Sequence, residues 1–152
     1  AVSILFYLRK ELTIIKLISY ITYQFLGGLL AVVTTHYIFD INLYQISNHT
    51  LRIENNMFSL LFSEIIATTG LILTILFVRK NDSESVAISV ALFITAGYWF
   101  TSSTSFANPM VTIARVFTDT FTGINPISVP YFLIGQCIAI YISHQIFKSF
   151  EK

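Results

Sequence analysis

Few residues of this 152-residue chain have the types and spacing to do chemistry. Its three histidines (His36, His49 and His144) and one cysteine (Cys137) lie far apart, without the clustered spacing of a metal site. No nucleophile sits with a base, no glycine loop is built to cradle phosphate, and no carboxylates are paired as an acid and base would be. The chain is therefore expected to be no enzyme and to hold no metal or cofactor. What stands out is polar without being reactive. Asn108-Pro109 follows a hydroxyl-rich run in "TSSTSFANPMVTIARVFTD", Glu64 is alone in the apolar stretch "FSEIIATTG", and Arg115 follows the Asn-Pro step. Such groups can orient a neighbouring polar molecule or backbone by hydrogen bonds; they are not equipped to break bonds.

The elements that position them are read from composition. Hydrophobic residues make up 55% of the chain and charged residues 11%, against about 25% charged in soluble domains. Crossing a hydrocarbon core of about 30 Å takes about 20 helical residues. Four segments qualify: 17–39, 57–78, 85–100 and 129–147, with Glu64, in the second, the only Asp, Glu, Lys or Arg in all four. Amphipathic stripes, which buried helices of a soluble bundle would carry, are absent. Small residues occur in each span (Gly27, Gly28, Gly70, Gly97, Gly135), as close packing of helices in lipid requires. If the spans alternate, Arg9, Lys10, Lys16, Arg79, Lys80, Lys148 and Lys152 share one side, and Arg52 and Arg115 the other. By the positive-inside rule the first side is cytoplasmic. A net charge of +1 speaks against nucleic acid, which calls for dense basic patches. The expected partner is the lipid bilayer.

Asn108 and Pro109 predict a helix start. Asn accepts an orphan backbone N–H at the cap, and Pro is favoured at the first helical position. The helix then runs to about residue 119, roughly 15 Å and so half a bilayer. A half-helix that starts mid-membrane points its positive dipole end at the midplane. Its irregular approach is tolerated only inside protein or beside water, and Thr101, Ser102, Ser103, Thr104 and Ser105 supply the hydroxyls for that descent. The bland reading is an exposed loop and a surface helix. That reading is kept for the second Asn-Pro step, Asn125-Pro126, which precedes Pro130 and a span.

"SFANPMVTIARVFTDTF", followed by "PYFLIGQ", resembles the second half of the aquaporin and glycerol-facilitator family, the major intrinsic proteins. The resemblance implies an all-α membrane protein: an aquaporin-like right-handed helical bundle in a single domain over 1–152, with four transmembrane helices and re-entrant half-helices at 1–10 and 108–119. It implies a passive channel for water or small uncharged solutes such as glycerol, a homotetramer, and residence in a bacterial inner membrane. The pattern around "TDTF" is also similar to a bacterial branch linked to arsenic resistance, for which arsenite-like metalloids are candidate solutes.

The resemblance assigns roles residue by residue. Asn108, Pro109 and Met110 form the pore motif, with Met110 in place of the usual Ala, where it narrows the midpoint or, as preferred here, packs behind it. Val111 stands where most relatives carry Arg, a loss that widens the aperture and makes it less polar. Ser105 and either Ala96 or Gly97 complete the constriction as far as this chain supplies it; a small residue there is similar to the glycerol-passing branch. Glu64, with Thr68 one turn on, implies a buttress for the re-entrant loop, preferred over a proton relay because no second buried carboxylate exists to receive the proton. Arg115 is either a displaced gate in the vestibule or, as favoured here, a cation balancing the half-helix end and pairing with Asp119. Tyr98, Trp99 and Phe100 read as an aromatic belt, and His36 and His144 as interfacial residues.

An internal repeat points the same way. "AVSI" at the start mirrors "MVTI" at 110–113, and Gln24 mirrors Gln136. If the repeat holds, Ala1 occupies the place of Met110, and two further spans and a first Asn-Pro are expected upstream. Other readings compete with the channel: a truncated, non-conducting membrane fragment or assembly subunit, and a carrier coupled to protons through Glu64.

Overall fold

The computed structural model describes residues 1–49 and 57–151; Arg52 and Lys152 lie outside them. The elements are α1 (Val2–Leu8), α2 (Ile14–Ile38), α3 (Met57–Asn81), α4 (Val86–Phe100), α5 (Pro109–Ala114) and α6 (Val129–Ser149), with 3-10 turns at Arg115–Phe117 and Pro126–Ser128. No strand occurs among the described residues. The chain is an all-helical membrane protein: α2, α3 and the Pro126–Ser149 segment are each long and apolar enough to cross a bilayer.

Four such spans were expected and three reach the length. The fourth, α4, has 15 residues, a rise of about 22 Å against a core of about 30 Å. Local chemistry explains its ends. At the start, the Asp82 carboxylate accepts from the Ser85 hydroxyl and from Glu84 N–H at 3.0 Å, folding a turn before the helix. At the end, Thr101 turns extended, with its hydroxyl donating to the Gly97 carbonyl at 2.6 Å.

α3 runs along α6, and α4 packs on α3, while α5 lies between α2 and α6. Gly135 sets the α3–α6 approach: a Cβ there would lie 2.6 Å from the Leu61 carbonyl oxygen, so only glycine allows it. Gly27, by contrast, faces open space. One apolar cluster (Leu5, Ile72, Leu76, Ile140, Phe147) seats α1 against α3 and α6. Another (Leu60, Phe106, Ile124, Phe132) lies beneath the loop that precedes α5. In lipid, burying apolar side chains adds little drive, because the acyl chains are as apolar as leucine. Close backbone approach and buried hydrogen bonds must therefore decide how these helices pack.

Both short helices obey local rules. Lys10 takes a left-handed backbone (φ 62°) just beyond α1, and Thr13 caps α2 by accepting Lys16 N–H at 3.4 Å. Asn108 accepts Met110 N–H at 3.0 Å, and Pro109 takes the first helical position. The helix expected to continue to about 119 ends as α-helix at Ala114, tightens through Arg115–Phe117, and turns extended at Thr118. Competing partners end it there: Ile124 N–H takes the Arg115 carbonyl at 3.1 Å, and Ser47 N–H takes that of Val116 at 2.8 Å. Asn125 caps only the short turn into α6, accepting Ile127 N–H at 3.0 Å.

Candidate functional site

The site is built around one carboxylate. Glu64 has no solvent exposure and accepts four hydrogen bonds: from Phe106 N–H at 3.0 Å, Ala107 N–H at 2.9 Å, Ser103 Oγ at 2.5 Å and Gln136 Nε2 at 2.6 Å. The same loop is held a second time by Ser63, whose hydroxyl accepts Ser103 N–H at 3.1 Å. These bonds sustain a backbone that ordinary residues avoid. Thr104, Ser105 and Ala107 all have left-handed φ, between 49° and 56°, at a cost of order 1–3 kcal/mol for each strained residue. Two amides bound to a carboxylate are worth about as much, since hydrogen bonds to charged groups contribute roughly 1.5–3 kcal/mol each. The strained loop is thus matched by its anchor.

From Glu64 the network runs on to the tip. Gln136 donates its second Nε2 hydrogen to Thr112 Oγ1 at 3.0 Å, and Thr112 donates to the Asn108 carbonyl at 3.0 Å. Asn108 itself spends its Oδ1 on the cap and directs Nδ2 to Gln24 Oε1 at 3.1 Å. The head of α1 arrives at the same place. Ala1, Ser3, Gln24, Asn108, Pro109 and Met110 border a cavity of about 30 Å³, the share of one water in the liquid. The two halves also bond alike. Setting Ala1 against Met110 places Ser3 against Thr112, and Gln24 reaches Ser3 Oγ at 3.5 Å as Gln136 reaches Thr112.

The residues expected at the constriction fall in two groups. Ser105 is buried, and a Cβ on Gly97 would lie 2.7 Å from it, so Gly97 is where α4 lets the loop come close; Ala96 is exposed. Val111 instead shares a larger cavity of about 390 Å³ with Arg115, Gly28 and His36, to which neither Ser105 nor Gly97 contributes.

Several side chains bond otherwise than their spacing implied. Thr68 is fully buried, yet its hydroxyl has no hydrogen-bond partner among the described residues. Arg115 does not pair with Asp119 in the described structure. Its Nη2 donates to Tyr98 Oη at 2.9 Å, and its guanidinium lies 4.2 Å over the Phe106 ring. Asp119 is drawn away to the outer connector, where its carboxylate accepts Asn48 N–H at 2.8 Å. His36, near the end of α2, is buried within the protein: it is 1% exposed and bonds Thr118 and the Leu43 carbonyl. Gln136 and Thr112 were not singled out as site residues; the repeated Gln was their one signal.

At the opposite end, Arg9 pairs with Glu151 at 2.7 Å and with Glu11 at 2.8 Å, and Arg79 joins Glu11 at 2.8 Å. Burial pushes the Glu11 carboxyl up, but its bonds to Arg9 and Arg79 outweigh this and hold it below its ordinary 4.5.

Helices of span length, apolar outward faces and an internal polar network that positions a short Asn-capped helix define an integral membrane protein of the helical class. Over 138 residues, 91% of its length, the chain is 39% identical to Aquaglyceroporin AqpS of Rhizobium meliloti (strain 1021), a likeness that supports the aquaporin and glycerol-facilitator family. It spans 58% of that relative's length. No protein-family profile matches the chain, and no solved structure does.

Proposed function

We propose that the protein acts as a passive channel for water and small uncharged solutes, with glycerol and neutral trihydroxy metalloids such as arsenous acid as its candidate cargo. The observation that carries this reading is the meeting of Asn108 with the head of α1 at a water-sized cavity. In this reading α1 and α5 are half-helices that enter from opposite faces, and the Asn108 amide orients a passing oxygen. The two positive helix ends repel cations. Glu64 is the loop's buttress, with Gln136 carrying its hold to the tip. Val111, in the place of a cation, leaves the outer cavity wide and apolar on one wall. The relative's name, an aquaglyceroporin, supports the solute class. A homotetramer in a bacterial inner membrane is the expected setting.

Stopped-flow shrinkage of proteoliposomes under water, glycerol and arsenous-acid gradients tests the proposal. Glycerol permeation above that of protein-free vesicles is expected, and passage of water alone would remove the wide-aperture reading.

A further inference from the structure

The outer cavity has one apolar wall and one wall of hydroxyls. His36 Nε2 lies 2.8 Å from Thr118 Oγ1, which lies 3.1 Å from Thr120 Oγ1, in turn 2.9 Å from Thr122 Oγ1. All four residues line the cavity, and Arg115 faces it from α5's end. None of these distances was suggested by the "TDTFT" spacing, because alternate residues of an extended chain share a face only if the chain stays extended.

For a neutral His36 ring, the direction of every proton in this row follows from one carbonyl. His36 Nδ1 lies 3.3 Å from the Leu43 carbonyl oxygen, which can only accept, so Nδ1 carries the hydrogen. A neutral ring then presents a lone pair at Nε2, and Thr118 must donate to it. Having spent its single hydrogen, Thr118 accepts from Thr120, and Thr120 by the same count accepts from Thr122. The three hydroxyls therefore all point toward His36. Among the described residues each oxygen keeps an unspent lone pair, and none has a proton to offer the cavity.

We infer that Thr118, Thr120 and Thr122, polarised by His36, form a vestibular binding site of consecutive hydrogen-bond acceptors for neutral polyhydroxyl solutes. The site rests on the channel reading, since it lies where that reading places the outer entrance. Its selectivity comes from opposition. An anion meets a row of lone pairs; a cation meets Arg115. A solute bearing several hydroxyls donates to the rungs and accepts from the guanidinium, whose Nη2 alone is committed among the described residues, to Tyr98. Water can use one rung at a time, whereas a polyol engages adjacent rungs together, and so gains more from the row than water does.

Thr120→Val removes the middle rung while keeping the branched shape, and Thr120→Ser keeps the hydroxyl. With protein in proteoliposomes, the valine variant is expected to lose about fivefold in glycerol permeability, the equivalent of one hydrogen bond of about 1 kcal/mol, with water permeability held within about twofold. The serine variant is expected to restore glycerol. Unchanged glycerol flux in Thr120→Val, or a parallel fall of glycerol and water, would overturn the site while leaving the channel standing. A wild-type protein that passes no glycerol would remove both. Should Thr120→Val fail to fold, Thr122→Val at the row's free end decides by the same comparison.

Discussion

The Glu64 carboxylate accepts the Ala107 N–H at 2.9 Å, one residue before the asparagine that caps α5, while Ala107 itself is held at φ 49°. A carboxylate on α3 thereby dictates the backbone from which Asn108 projects. All four of its partners donate, so the anchor works only as a pure acceptor.

Glu64→Gln is nearly isosteric but replaces one acceptor oxygen with an amide nitrogen that donates. At least one buried N–H loses its partner, at a cost of roughly 1–3 kcal/mol. Lower thermal stability in detergent is expected, with loss of glycerol flux in proteoliposomes. A variant as stable and as conductive as wild type would show that the loop needs no acceptor here.

Gln136→Leu removes both donors that join Glu64 to Thr112, and Thr112→Val removes the hydroxyl that holds the Asn108 carbonyl. Because these groups act in one chain, their effects should not add, and a coupling of about 0.5–3 kcal/mol is expected from a double-mutant cycle. Additive losses in chemical or thermal unfolding would break the proposed link between anchor and tip.

Val111→Arg places a bulky donor on the outer cavity, four residues before Arg115 and on the same wall. Glycerol permeability is expected to fall at least tenfold, with a smaller loss for water. Equal loss of both would mean that the substitution blocks the path and does not filter it.

Glu11 titrates lower when folded than its ordinary 4.5 because Arg9 and Arg79 outweigh the upward push of burial. Its contribution is therefore complete above that ordinary value and is lost as pH falls through the depressed folded value. The carboxylate is about one-third exposed, so the effect is small, under about 1 kcal/mol. Thermal unfolding from pH 6 down to pH 3 should be less acid-sensitive in Glu11→Gln than in wild type. Identical slopes would mean that the ion pairs contribute nothing to folding.

Composition and local pattern by themselves determined that this chain is a helical membrane protein. A span needs only a run of apolar residues, and the Asn108 cap with Pro109 behind it needs only neighbouring atoms. Tertiary structure decided what the polar groups do. Glu64 and Gln136 are 72 residues apart, His36 and Thr118 are 82 apart, and Arg115 turned from Asp119 to Tyr98. The length of α4 and the early end of α5 were settled by loop hydrogen bonds that no helical period encodes. Bilayer solvent makes apolarity readable from the chain alone, because every lipid-facing residue answers to the same medium. A buried polar atom answers to one particular partner, and only the packed helices choose it.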